Sequence, residues 1–143
     1  MAGRILIVDD IATNRIVLKV KLGSAQYETL QSATGAEAIA MAREARPDLI
    51  LLDAELPDMT GAEVCTRLKE DPATRDIPVV MITACQDHAR KIQALRAGAA
   101  EVFWKPIDDT LLLARLRSLL RASESERESS ATPSQMFSSR PRK

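Results

Sequence analysis

Five polar residues stand directly behind short apolar runs. Asp9 and Asp10 follow Ile5-Leu6-Ile7-Val8, and Asp53 follows Leu49-Ile50-Leu51-Leu52. Thr83 follows Val79-Val80-Met81-Ile82, and Lys105 follows Glu101-Val102-Phe103-Trp104. Three carboxylates brought together repel and raise one another's pKa unless a cation joins them. Oxygen ligands with one or two direct carboxylates suit Mg²⁺, which keeps several of its waters. A metal ion, an ammonium and a hydroxyl together describe a site for a phosphoryl group. The chain has no GxxxxGK[ST] and no GxGxxG, so these nucleotide-binding loops are not supported. The nucleophile is then a carboxylate, and an aspartyl phosphate is a known covalent outcome. Taken singly, each residue has a plainer reading. An aspartate after a strand is more often a cap, and Asp10 could serve the first helix that way. Thr83 could be an ordinary strand-end hydroxyl, and Lys105 an ordinary loop lysine. Four strand ends carrying the right groups in the right order are much harder to obtain by chance.

For these residues to meet, the runs must lie side by side. Residues 4–8, 49–52 and 79–82 are apolar without polar alternation, as in parallel strands covered on both faces. Residues 27–32 (YETLQS) and 101–104 (EVFW) are more polar or shorter and suit sheet edges. Helical stretches lie between them. Ile16 and Val20 share a face in 12–23, as do Ala38, Met41, Ala42 and Ala45 in 35–45. Val64, Cys65 and Leu68 do so in 61–70, Ile92 and Leu95 in 87–97, and Leu112, Leu116, Leu119 and Leu120 in 109–121. Thr34-Gly-Ala-Glu37 and Thr60-Gly-Ala-Glu63 read as capping boxes. The pattern predicts an α/β fold, a flavodoxin-like doubly wound (βα)5 with a parallel five-stranded sheet in order 2-1-3-4-5. In such sheets ligands sit beyond the carboxyl ends of the strands, which is where the five polar residues stand.

Composition narrows the function. The 143 residues are 45% hydrophobic and 28% charged but only 3% aromatic, so the core is aliphatic. Basic and acidic residues number 20 each, which gives no global pull toward nucleic acid or an anionic membrane. No apolar run approaches the roughly 20 residues a membrane span needs. The N-terminal run passes straight into acids and is not a signal peptide. Cys65 and Cys85 form no metal or redox motif, which leaves a reducing cytoplasm as the default location. From 123 to 143 the chain is rich in serine and poor in apolar residues, and reads as a disordered tail or linker after a domain at 1–122. Its basic end, Arg140 to Lys143, reads as solvated.

The runs ILIVDD, PDLILLDAELPDMTG, IPVVMITA and AGAAEVFWKPI carry a resemblance. The sequence resembles the receiver (CheY-like) domain of two-component response regulators over about residues 3–121. Three further runs, DDIATNR, CTRLKEDPATRDIPVVMITA and KPIDDTLLLARLRSLLR, resemble more narrowly the first receiver of PleD-type diguanylate cyclase regulators. The resemblance implies that Asp53 is the phosphoacceptor, attacking a phosphohistidine on a sensor histidine kinase or phosphotransfer protein. It implies Mg²⁺ held directly by Asp10, Asp53 and the backbone carbonyl of Glu55, with Asp9 acting through a metal-bound water. Lys105, Thr83 and its neighbour Ala84 would bind the phosphoryl group, and Lys105-Pro106 would be a cis peptide. Such a domain catalyses only its own phosphorylation and dephosphorylation. Its readout surface is helix 4, strand 5 and helix 5, often a homodimer face, here roughly residues 87–120. No nucleic-acid or membrane contact is expected of this domain.

Two departures stand out. Val102 occupies a position where the family usually has Phe or Tyr, with Phe103 and Trp104 following, so an aromatic rotamer switch coupled to Thr83 is missing there. Glu55 adds a carboxylate two residues past Asp53, at the mouth of the site. Cys85 should line that mouth without catalysing. His88, the only histidine, lies near the start of helix 4, away from any kinase-like motif. Two rival functions remain: a phosphorylation-independent interaction module, and an aspartate-nucleophile phosphohydrolase. The latter would want an aspartate at position 55.

Overall fold

Successive side chains of a strand point to opposite sides, so a run that is apolar throughout needs cover on both faces. In the computed structural model, which describes residues 3–131, the runs are covered in that way. The elements alternate as β1 (Arg4–Val8), α1 (Ala12–Ser24), β2 (Glu28–Ser32), α2 (Gly35–Ala45), β3 (Leu49–Asp53), α3 (Gly61–Glu70), β4 (Val79–Thr83), α4 (His88–Arg96), β5 (Glu101–Trp104) and α5 (Asp109–Ala131). The sheet is parallel, in the order β2-β1-β3-β4-β5. This is the expected flavodoxin-like arrangement, with both short or polar strands at the edges.

The alternation splits the core in two. Leu6, Val8, Ile50, Leu52, Val79 and Met81 pack with α2, α3 and the Ala94–Ala99 segment. Ile5, Ile7, Leu49, Leu51, Val80 and Ile82 pack with Leu22 of α1 and Leu112, Leu116 and Leu120 of α5. The helices differ in how they meet the sheet. α3 buries Val64, Cys65 and Leu68 as its spacing predicts. In α1, however, Ile16 and Val20 are 57% and 63% exposed, while Leu22 is fully buried. The stretch 16–22 holds apolar pairs four apart on two faces, and the adjoining strands decide which pair turns inward. α4 departs likewise: Ile92 and Leu95 are largely exposed and the helix buries Ala94. The helix meets the core through this small residue, and its larger apolar side chains lie at the flanks.

Capping chemistry fixes the helix starts that matter most for the site. Thr60 accepts from the Glu63 N–H, and the Glu63 carboxylate accepts from the Thr60 N–H, a complete capping box. At α2 only half of the expected box forms: Thr34 accepts from the Glu37 N–H, but Glu37 reaches back to the Ala33 N–H. Asp58, from the β3–α3 loop, accepts from the next two N–H groups of that helix start, Gly35 and Ala36. Gly61 permits a close approach. A Cβ there would lie 2.8 Å from Ala54 Cα and 2.9 Å from the Asp53 carbonyl oxygen, both backbone atoms. The start of α3 thus rests directly on the end of β3.

α5 continues as one helix past residue 122 to Ala131. Residues 132–143, the rest of the segment expected to be a disordered tail and including Arg140 to Lys143, lie outside the described residues. No described helix is long and apolar enough to cross a membrane.

Candidate functional site

β1 and β3 are neighbours in register, with Val8 opposite Leu52, so the residues that follow them emerge side by side. Carboxylate oxygens of Asp9, Asp10 and Asp53 all lie within 4.8 Å of one another. β4 continues the row, with Asp53 opposite Ile82 and Thr83 one step further along. β5 completes it: Thr83 lies opposite Trp104, and the Lys105 N–H donates to the Thr83 carbonyl at 2.9 Å. The Lys105 ammonium lies 4.0 Å from Asp53 Oδ2. The Lys105–Pro106 peptide is cis. All five polar residues named from the sequence therefore share one rim.

The three acids are not equivalent. Asp9 is buried, and both its oxygens are used: Oδ1 accepts from the Ile11 N–H at 2.9 Å and Oδ2 from Asn14 Nδ2 at 3.2 Å. Asp9 therefore holds the turn into α1, the role that Asp10 could have taken. Asp10 is exposed, and among the described residues no hydrogen bond or ion pair engages its carboxylate. Asp53 has a side chain only 12% exposed, and its Oδ1 accepts from the Glu55 N–H at 3.1 Å. Burial pushes the Asp53 pKa up, with Asp9 and Asp10 adding to the rise, while the Glu55 N–H and Lys105 oppose it. A cation joining Asp10 and Asp53 would relieve that repulsion. The donor set is oxygen-only and includes an unengaged carboxylate, which fits Mg²⁺.

Thr83 is buried, and its hydroxyl accepts from the Cys85 N–H at 3.0 Å. Ala84 lies between them in the loop that leads to α4. Glu55 is exposed and forms an ion pair with Arg90 of α4 at 3.3 Å. It is thus neither a free carboxylate at the mouth nor part of the three-acid cluster. Sequence reasoning missed Asn14 and Arg15, both within the quoted run DDIATNR. Arg15 Nη1 donates to the Asp9 carbonyl at 2.5 Å, and its Nε to Gln31. It also missed Arg90, whose partner lies 35 positions away and leaves no local signal. A cleft beside Asp53 is lined by Asp9, Asn14, Val17, Lys21, Lys105 and Ile107, among others.

Comparison with known proteins agrees with this geometry. The family model described as "Response regulator receiver domain" matches residues 5–117. "Response regulator PleD" of Caulobacter vibrioides is 50% identical over 121 residues, covering 85% of this chain and 27% of that protein. The chain thus spans about a quarter of that relative's length. A response regulator structure from Chloroflexus aurantiacus superposes with a TM-score of 0.81 at 33% identity, covering 85% of this chain and 99% of the other. The receiver domain of sensor histidine kinase PA1611 from Pseudomonas aeruginosa, at 27% identity and a TM-score of 0.77, covers 84% of this chain and 98% of its own. That structure has a magnesium ion coordinated in its active-site cleft. Sheet order, acid cluster and sequence agree: the chain belongs to the receiver-domain family of two-component response regulators.

Proposed function

We propose that Asp53 is the phosphoacceptor of this receiver domain, with a phosphohistidine on a sensor kinase or phosphotransfer protein as donor. An Asp53 oxygen attacks phosphorus, the P–N bond breaks, and the imidazole leaves and takes up a proton. The observation that carries this reading is the meeting of three carboxylates with an ammonium 4.0 Å from Asp53 Oδ2. Asp53 suits the nucleophile's role because the Glu55 N–H holds one oxygen and leaves the other toward Lys105.

Asp10 and Asp53, with the Glu55 carbonyl, would hold Mg²⁺ directly, and the ion would neutralise charge on the phosphoryl oxygens. Asp9 would reach the ion only through water, a role supported by the full use of its oxygens in holding Ile11 and Asn14. Lys105 pairs with one phosphoryl oxygen, and Thr83 with the adjacent Ala84 binds another. Phosphorylation adds about −1.5 to −2 charge at the rim. The equilibrium of the fold then shifts by the difference in interaction between its two states. The readout surface is α4-β5-α5, which serves as a homodimer face. The unit acts in the cytoplasm, spans residues 1–122, touches neither nucleic acid nor membrane, and catalyses only its own phosphorylation and dephosphorylation.

Incubation with acetyl phosphate and Mg²⁺, followed by intact mass, tests the assignment. One phosphoryl adduct is expected on the wild type and none on Asp53→Asn; an equally stable adduct on Asp53→Asn would overturn it.

A further inference from the structure

Position 102 holds valine, but the same face of β5 carries an aromatic ring two residues later. Val102 packs with the α2–α3–α4 side of the core, and Phe103 with the α1–α5 side. Trp104 returns to the Val102 side, next to α4. Its ring meets His88, the first residue of α4, edge-on, with centroids 5.7 Å apart and planes at 71°. Lys91 Nζ, one turn further along α4, lies 5.5 Å from the ring centroid. Trp104 also stands directly opposite Thr83 in the β4–β5 register and is peptide-bonded to Lys105. One indole thus touches the first turn of α4, on a residue that pairs with Thr83 and precedes Lys105.

Two further features make this contact responsive. The Thr83 hydroxyl is engaged by the Cys85 N–H, inside the short loop that ends at the α4 cap, where Asp87 accepts from the Ala89 N–H. If Thr83 moves toward a phosphoryl oxygen, the Cys85 N–H it accepts from carries that movement into the segment ending at His88. The indole N–H is buried and, among the described residues, has no acceptor. A buried donor without a partner costs free energy, and a rearrangement that gave it an acceptor would recover that cost.

We propose that Trp104 is the positioning residue that transmits occupancy of the Thr83–Lys105 site to the first turn of α4, through its contacts with His88 and Lys91. This takes the place of an aromatic switch at position 102. The inference rests on the phosphoacceptor reading above.

Trp104 is the only tryptophan in the chain, so intrinsic fluorescence reads it directly. Wild type is titrated with beryllofluoride and Mg²⁺, with binding followed in parallel by calorimetry. Emission should shift on binding in wild type, and both signals should be lost in Asp53→Asn. Thr83→Ala, saturated as judged by calorimetry, should bind without the emission shift. Failure of wild type to bind would refute the phosphoacceptor reading itself. Binding with unchanged emission, or with the full shift in Thr83→Ala, would overturn only the Trp104 proposal. Amide exchange over residues 84–92 provides the functional readout. The mimic should alter protection there in wild type, and Trp104→Val should lose that change while its affinity moves less than about tenfold. A purely structural role would loosen α4 equally with and without the mimic, which would overturn the proposal. Trp104→Phe, which keeps a ring, should retain most of the response and guards against a folding defect in Trp104→Val.

Discussion

The helix that follows Asp53 buries Gly61, Val64, Cys65 and Leu68, whereas the helix that follows Thr83 buries Ala94 alone. α3 starts with a complete capping box, and its first residue rests on the backbone of Asp53 and Ala54. α4 starts with one Asp87 bond and leaves Ile92 and Leu95 only about half covered. A nucleophile must be held in place before reaction, since misplacement by an ångström is costly. A reporting element must instead be able to move, and such elements come from the less stable parts of a fold. On the proposed function, the two strand ends divide the labour accordingly.

Side-chain truncation should show the largest contrast. Leu68→Ala removes a fully buried side chain and should cost about 2–5 kcal/mol in urea unfolding. Ile92→Ala, at a position 49% exposed, should stay within about 0.5 kcal/mol. Similar losses for both would mean that α4 is held as firmly as α3. Asp53 should respond in the opposite direction. Burial raises its pKa, so the ionised carboxylate costs stability at neutral pH, and that cost is relieved as pH falls through the raised value. Asp53→Asn should therefore melt higher than metal-free wild type at neutral pH. The gap should narrow on acidification and on adding Mg²⁺; a lower melting point for Asp53→Asn would refute the ordering.

Much of this division was written in the sequence, because strand ends are local. Apolar runs without alternation fixed β1, β3 and β4, and the residue after each was a site residue by position alone. The edge assignments of β2 and β5 followed from polarity. Helix faces were less legible. Ile16/Val20 and Leu18/Leu22 are equally good spacings, and only packing against the sheet selects Leu22. Ala94 gave no signal against Ile92 and Leu95, since size suggests burial of the larger pair. Contacts made across the fold, such as Glu55 with Arg90 and Asp58 with α2, join residues that no window contains.

The caps should separate the two helices by a smaller amount. Thr60→Ala should cost about 1 kcal/mol of global stability. Asp87→Ala should instead speed amide exchange in α4 with little change in the unfolding midpoint, because α4 opens without the rest. A smaller effect still concerns the Glu55–Arg90 pair, the ionic tie between the β3–α3 loop and α4. Both side chains are largely exposed, so the pair should be worth less than about 1 kcal/mol and weaken with salt. If it tunes the lifetime of the phosphoaspartate, Glu55→Ala and Arg90→Ala should alter hydrolysis in the same direction, with the double variant adding little. Unchanged lifetimes at saturating Mg²⁺ would leave the pair without that role.

The smallest expected effect tests the α3 side alone. Asp58 is exposed, yet the N–H groups of Ala36 and Gly35 hold its pKa below the ordinary carboxylate value. A lowered native pKa means that the unfolded chain binds the proton more readily. The contribution of Asp58 is therefore present above the ordinary value of 3.8 and fades as pH falls from there through the lowered native value. Asp58→Ala should melt slightly below wild type at neutral pH, by the same margin down to about pH 4, and the difference should close at lower pH. The other carboxylates titrate in both proteins and drop out of the difference. A gap that persists unchanged into strong acid would show that Asp58 acts through its shape in the loop. The charge it offers to the start of α2 would then not be what ties that helix to the strand ending at Asp53.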